Sequence, residues 1–254
     1  MSTNTAGVGV GPRTGSSHEG AVRLSVREIR ETTWRALFAA GVSSGEAAIA
    51  ASAVTFSEVQ LGRGLSSVAG ALKALGTTHA PATVVPGQVD VVDDPANRGL
   101  LMLAPLGLGL AAARPASSPV FLPSLAWNPV LAGFLIQHCG PQTPAFFAFE
   151  VNEDELARGI KAAPDRSVTI LSPDDTHVIA QQNPQLTSRL VGLTQGVLLT
   201  TDFNGLNGAD MPPTHSYELL DSQQRRALRD GLHVDRELWA PVYAASERFL
   251  VNDQ

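Results

Sequence analysis

The amino-acid sequence predicts an α/β fold in which helical N- and C-terminal segments pack around a central mixed α/β layer. Helix-capping patterns at both ends precede apolar residues that recur every three or four positions. In the centre, strand-like and helix-like segments alternate, which is typical of an α/β arrangement. The 254 residues include 23 glycines and 17 prolines, which favour a loop-rich mixed fold over a helical bundle.

The chain is predicted to form a single globular domain after an N-terminal tail. Residues 1–22 are rich in glycine, serine and threonine and lack an apolar core, so we expect a flexible tail and no signal peptide. Residues 23–254 contain no obvious linker and are numerous enough to bury a substantial core. Within this domain, the helical ends are 25–76 and 221–251, and the α/β centre is 82–202.

Charge and cysteine content narrow the classes of function. The chain has 24 acidic and 18 basic residues and a net charge of -6, whereas nucleic-acid binding needs a basic surface. One cysteine cannot form an internal disulfide, which predicts a reducing, cytoplasmic location. The longest apolar run, 100–113, is too short to span a bilayer of about 30 Å. We therefore expect neither a nucleic-acid nor a membrane partner.

Local signals assign most of the secondary structure. Ser25 and Glu28 have the S-x-x-E spacing of a capping box, and Ser43 and Glu46 repeat it, so each pair starts a helix. The predicted helices are 25–41, 43–62, 66–75, 100–113, 128–138, 154–162, 222–231 and a last one from 235. The predicted strands are a hairpin or two short strands over 82–92, followed by 145–151, 168–171, 178–180 and 197–201.

The sequence carries no strong motif of a metal or nucleotide site. H-E-x-x-H and C-x-x-C spacings, a Walker loop and a G-x-S-x-G elbow are all missing, so we predict no metal site. Gly7, Gly9 and Gly11 superficially match a dinucleotide fingerprint, but no strand precedes them. His138 and Cys139 are neighbours on a predicted helix, where their side chains diverge, so a core or surface role is favoured over a catalytic dyad.

The loop from Gly62 to Ser67 is the first candidate binding site. It breaks a helix and presents Arg63, Ser66 and Ser67 near the start of the next helix. A helix N-terminus and an arginine both suit an anion, so this loop is predicted to bind a small carboxylate. The alternative is an ordinary N-cap serine beside a solvated Arg63.

The segment from Thr200 to His215 is the second candidate. Asp202, Asn204 and His215 follow an apolar strand, and polar loops at strand ends are common ligand sites. The alternative is a plain surface turn. His177, which lies close to two aspartates, is a further candidate for proton transfer, with a structural loop residue as its alternative.

Both ends of the chain resemble a known enzyme family. The stretch 28–68, with its A-A-G-V turn at Ala39–Val42, and the stretch 223–239 resemble the malate/L-lactate dehydrogenase-like NAD(P)H oxidoreductases, which are not of the Rossmann type. A similar helical frame occurs in an uncharacterised bacterial domain family, which the apolar centre, 99–110 and 121–134, resembles more closely. The likeness implies a homodimer and, for an active member, NADH or NADPH as the cofactor.

The catalytic segment of that family reads approximately R-G-x-D-S-H-G-V, and its histidine exchanges the proton beside the hydride-transfer centre. Here 61–68 occupies that place, and Ser66 stands where the family has the histidine. A serine near its normal pKa does not exchange protons at neutral pH, and losing a general acid or base costs about 10²–10⁴ in rate. The resemblance therefore implies that this chain shares the helical frame of the family but lacks its catalytic histidine.

Three functions remain open. The main expectation is a non-catalytic or diverged relative that acts as the subunit of a partner enzyme or binds a small molecule. The first alternative is an NAD(P)H-dependent oxidoreductase for a small 2-oxo or cyclic imino acid, in which Arg63 binds the carboxylate and Ser66, His177 or His215 relays the proton. The second alternative is a hydrolase or isomerase on the same frame.

Overall fold

The computed structural model describes residues 20–75, 81–95, 98–113, 119–201 and 212–250. In chain order the elements are β1 Ala21–Leu24, α1 Val26–Ala39, α2 Ser44–Leu61, α3 Leu65–Ala74, β2 Thr83–Val85, β3 Asp90–Asp93, α4 Leu100–Ala113, β4 Val120–Pro123, α5 Leu131–His138, β5 Phe146–Asn152, β6 Glu155–Ala162, β7 Val168–Leu171, α6 Pro173–Gln182, α7 Pro184–Leu190, β8 Gln195–Thr201, α8 Tyr217–Asp230, β9 Leu232–Asp235 and α9 Arg236–Glu247, which ends in a 3-10 turn, Arg248–Leu250.

The central layer is a seven-stranded sheet with helices on both faces. Its strand order is β2-β3-β4-β8-β5-β6-β7, and every pair is antiparallel except β3 with β4. Side chains alternate along β5: Phe146 and Ala148 face the core shared with α1–α5, whereas Phe147 and Phe149 face the core shared with α6 and α7. The predicted fold class is confirmed.

The two ends of the chain meet in one helical layer. Helix α1 packs against α2 and α9, and β1 pairs antiparallel with β9 from Ala21↔Asp235 to Leu24↔Leu232. These two strands have four residues each, too few for a periodic signal, so they were not predicted. Strand β1 includes the last two residues of the predicted tail, and residues 1–19 lie outside the described residues.

The predicted helix starts at the N-terminal end are confirmed. The Ser25 hydroxyl accepts from the Glu28 amide, and the Glu28 carboxylate accepts from the Ser25 amide at 2.7 Å. At α2 the Ser43 hydroxyl accepts from the amide of Glu46 and donates to its carboxylate. Helices α3, α4 and α9 also lie where they were predicted.

The predicted helix over 154–162 is wrong, because this segment is strand β6. Glu153 and Asp154 have φ values of 47° and 69°, and a two-residue turn with both φ positive folds β6 back onto β5. Non-glycine residues rarely take this conformation, so the turn left no recognisable signal. Strand β6 is buried on both faces of the sheet: Leu156 packs with α6 and α7, whereas Ile160 and Ala162 belong to the core on the other face.

The predicted strand over 178–180 is also wrong. These residues belong to α6, which begins with a capping box formed by Ser172 and Asp175. The β-branched pair Val178-Ile179 favours a strand, but in the helix the two side chains point in different directions. Ile179 is buried, whereas Val178 is exposed. The helix predicted from 222 begins earlier, as α8, with Ser216 as its N-cap.

Helix α4 is the buried apolar helix that the sequence predicts. It packs on β4 and β8, and Gly107 lies where an added Cβ would meet the side chains of Leu122 and Leu199. Within the described ranges, no helix combines the length and the apolar character that crossing a membrane requires.

Candidate functional site

The junction between α2 and α3 is shaped by two glycines with different roles. Gly62, at φ 64°, ends α2 in the left-handed conformation that favours glycine. Gly64 is buried against α2, where an added Cβ would overlap the carbonyl oxygen of Val54. Arg63, between them, is exposed and forms no ion pair with any residue in the described part of the chain. The junction therefore presents one free guanidinium on a tightly packed turn.

The N-terminus of α3 is already occupied by a carboxylate of the protein. Glu58 is only 8% exposed, and its Oε2 accepts the amide N–H of Leu65 at 2.9 Å. A negative charge at this position is stabilised by the helix dipole. A second anion placed on the same helix end would be repelled by Glu58, so Arg63 is the group at this junction that suits an anionic ligand.

Glu58 was missed because its role depends on tertiary packing. The local signal was a charged residue on the buried face of an alanine-rich helix, where its polar atoms need a hydrogen-bond partner.

Both serines of the predicted site have protein partners. The hydroxyl of Ser66 donates to the carbonyl oxygen of Arg63 at 3.0 Å, and Ser66 is exposed. The hydroxyl of Ser67 donates to Oδ1 of Asn128 at 2.8 Å. Neither hydroxyl donates to an imidazole or a carboxylate in the described ranges, so no general base activates them as nucleophiles.

Asn128 links the junction to the β5–β6 hairpin, a connection that the sequence did not reveal. Its Oδ1 also accepts the amide N–H of Val130 at 2.9 Å, which organises the turn before α5. The neighbouring Trp127 ring lies 5.8 Å from the guanidinium carbon of Arg158, which forms an ion pair with Glu150 at 2.5 Å. Arg158 is thus a second arginine near the segment that contacts Ser67, but its charge is already compensated by Glu150.

His215 lies at the edge of the sheet, just before α8. It forms an antiparallel bridge with Val168, and its Nδ1 is 3.1 Å from the hydroxyl of Thr214. Burial lowers the pKa of His215, because the charged imidazolium loses hydration there. The imidazole is therefore neutral at neutral pH and can accept a proton. Asp202 and Asn204, predicted in the same stretch, lie outside the described residues.

Helix α8 connects His215 to the junction side of the molecule. Nε2 of Gln60, near the end of α2, donates to the carbonyl oxygen of Leu220 in α8 at 3.0 Å. The amide oxygens of Gln60 and Gln223 are buried and have no hydrogen-bond donor among the residues that the structure describes. His215 comes two residues before α8, and Leu220 in the first turns of that helix contacts the end of α2.

His177 is not brought together with these residues. It is exposed on α6, and its Nε2 is 2.8 Å from the side-chain nitrogen of Gln181. Helix α6 packs on the opposite face of the sheet, where Thr176 donates to the carbonyl oxygen of Leu156 at 2.9 Å. The sheet therefore separates His177 from Arg63.

The side of the molecule where α2 meets α8 offers an exposed cation to an anionic ligand. The guanidinium of Arg63 suits a phosphate or a carboxylate, whereas the amide oxygens of Gln60 and Gln223 are buried, out of reach of a ligand. In the described part of the chain, no three His, Cys, Asp or Glu side chains are grouped as metal ligands would be.

The fold is similar to those of solved dehydrogenases and a reductase. Malate dehydrogenase from Pyrococcus horikoshii matches with a TM-score of 0.63 and 10% identity, over 93% of this chain and 98% of that chain. Sulfolactate dehydrogenase from Methanocaldococcus jannaschii matches with a TM-score of 0.57 and 9% identity, over 90% of this chain and 97% of that chain. Delta1-piperideine-2-carboxylate reductase from Pseudomonas syringae matches with a TM-score of 0.51 and 12% identity, over 88% of this chain and 99% of that chain.

These likenesses establish a malate/lactate dehydrogenase-like α/β fold. No protein-family model matches the sequence, and neither does a curated protein. At these identities the fold is shared, whereas the chemistry depends on the residues of this chain.

Proposed function

We propose that this chain is a nicotinamide-dependent oxidoreductase that acts on a small 2-oxo or cyclic imino acid. The observation that carries the proposal is the free guanidinium of Arg63 at the α2–α3 junction of a fold shared with dehydrogenases and a reductase. The likeness spans about nine-tenths of this chain and nearly all of each relative, which favours a catalytic role over the non-catalytic one expected from the sequence.

Arg63 binds the carboxylate of the substrate. A guanidinium forms two parallel hydrogen bonds to a carboxylate, which fixes the orientation of the acid as well as its position. Gly62 and Gly64 hold the backbone on either side of Arg63, so the turn itself is well defined. Because Glu58 already neutralises the α3 N-terminus, the carboxylate is directed to Arg63 and away from the helix end.

His215 exchanges the proton at the substrate oxygen or nitrogen. Burial lowers its pKa, so the imidazole is neutral at neutral pH: it would accept the hydroxyl proton when a hydroxy acid is oxidised, and would take up a proton from solvent before donating it when the 2-oxo or imino acid is reduced. Ser66 is unsuited to this role, because its hydroxyl donates to the Arg63 carbonyl and to no base in the described ranges. A bound reduced nicotinamide would supply the hydride when the 2-oxo or imino acid is reduced.

Titration with NADH and NADPH, followed by nicotinamide fluorescence, tests the proposal. We expect one cofactor to bind to the wild-type chain and to an Arg63→Ala variant alike. The KM for the acid should rise about 10- to 100-fold in Arg63→Ala, the loss expected for hydrogen bonds to a charged group. Arg30→Ala, which removes an exposed arginine from α1, is the matched control. Binding of neither cofactor at millimolar concentration would refute the proposal.

A second candidate is a binding protein or silent subunit on the same frame. The specific observation in its favour is Ser66, whose hydroxyl is engaged with Arg63 where the resembled family has a proton-transferring histidine. This candidate predicts that a carboxylate binds at Arg63 without turnover and that a partner enzyme copurifies. Light scattering of the purified protein also tests the homodimer that the resemblance implies.

A further inference from the structure

A separate cavity lies between α1, α3 and α9. Its volume is about 220 Å³, and its walls are largely apolar. Leu72 and Pro241 contribute to the lining, and the remaining wall is built mainly by small side chains, Ala36, Ala39, Ala40, Ala69, Ala244 and Ala245. These alanines leave open the space that larger residues would fill.

Two cations, Lys73 and Arg248, complete the lining of this cavity. Lys73 is in the last turn of α3, and Arg248 follows α9. No acidic residue lines the cavity, and neither cation forms an ion pair with a carboxylate in the described ranges. In a chain with a net charge of -6, this is a local concentration of uncompensated positive charge. Such a pair favours an anion, and Arg248 can bind a carboxylate through two hydrogen bonds.

We propose that this cavity binds a small organic carboxylate with a compact apolar body, such as an aromatic or a short branched acid. The alanine walls give water few hydrogen-bond partners, so an apolar group is favoured there over solvent. The volume is below the range of about 300–1,000 Å³ that accommodates drug-sized ligands, so the acid is small.

This site is distinct from the junction at Arg63. The 10 residues of α3 extend for about 15 Å, with Arg63 before the first turn and Lys73 in the last. Binding here therefore does not depend on the proposed oxidoreductase activity.

Calorimetric titration of the full chain with sodium benzoate tests the proposal, with sodium phosphate as a second probe. We expect benzoate to bind and phosphate to bind much more weakly, because phosphate gains nothing from the apolar walls. Phosphate binding equal to that of benzoate, or no benzoate binding at millimolar concentration, would overturn the proposal.

Variants locate the probe. Lys73→Gln combined with Arg248→Gln should weaken benzoate binding by about tenfold or more, and Ala69→Leu should weaken it by filling the cavity. Arg30→Gln is the control for loss of a surface charge and should leave the benzoate affinity unchanged. Benzoate binding that is lost in Arg63→Ala and kept in the double variant would place the probe at the junction and contradict the assignment. Unchanged thermal unfolding of the double variant shows that the loss is not due to misfolding.

Discussion

Replacing Gly64 with alanine tests the close packing that shapes the α2–α3 junction. Its backbone, at φ -72° and ψ -46°, suits alanine, so only the surrounding space is at issue. An added Cβ would overlap the carbonyl oxygen of Val54 and lie 2.8 Å from the amide nitrogen of Glu58. Both are backbone atoms, so α3 has to move. Overpacking costs about 1–3 kcal/mol, and we expect Gly64→Ala to lower the free energy of unfolding by about 3 kcal/mol, at the top of that range.

Gly70→Ala is the matched control for this substitution. Gly70 is exposed within α3, and an added Cβ there meets nothing within 4 Å. Alanine in a helix is about 0.5–1 kcal/mol more favourable than glycine, so this variant should be more stable than the wild type. Urea unfolding followed by circular dichroism measures both changes. A Gly64→Ala protein as stable as the wild type would refute the packing argument, because it would mean that the junction can accommodate a Cβ at this position.

Three further substitutions or treatments have defined outcomes. Glu58→Ala leaves the buried amide of Leu65 without an acceptor and should lower the free energy of unfolding in urea by about 1–3 kcal/mol. Glu58→Gln keeps an acceptor oxygen and should lower it by less. Equal losses in the two variants would contradict the capping role of Glu58. Burial lowers the pKa of His215 below 6.5, so as the pH falls the unfolded chain protonates this imidazole before the folded chain does. The free energy of unfolding should therefore fall as the pH drops from about 6.5 through the folded-state pKa. His215→Gln should remove that part of the pH dependence. Burial raises the pKa of Cys139 to about 11, so iodoacetamide should not label it in the native protein at neutral pH and should label it in urea, as mass spectrometry would detect.

The parts of the fold predicted from sequence are those that depend on neighbouring residues. The capping pairs at Ser25 and Ser43 act over three residues, so both helix starts could be predicted. The β5–β6 turn was missed because Glu153 and Asp154 take a conformation that their side chains do not usually favour. Likewise, β1 has to pair with β9, more than 200 positions away, before its four residues become a strand.

The candidate site divides in the same way. Arg63 was found because two flanking glycines mark a local turn. The role of Glu58 required the position of α3 relative to α2, which no local pattern specifies. His177 and His215 were both candidates for proton transfer, with His177 the weaker one; only the tertiary fold shows that His177 lies on α6, on the face of the sheet opposite α1–α5.

Oxidation of a nicotinamide cofactor by the purified wild-type chain tests the central claim most directly. NADH and NADPH are each mixed with a panel of 2-oxo acids and cyclic imino acids, and the loss of reduced-cofactor absorbance is followed. We predict oxidation of one cofactor with at least one acid, at a kcat/KM that Arg63→Ala lowers and Arg30→Ala leaves unchanged. If the folded protein oxidises neither cofactor with any acid of either class, the oxidoreductase proposal is contradicted.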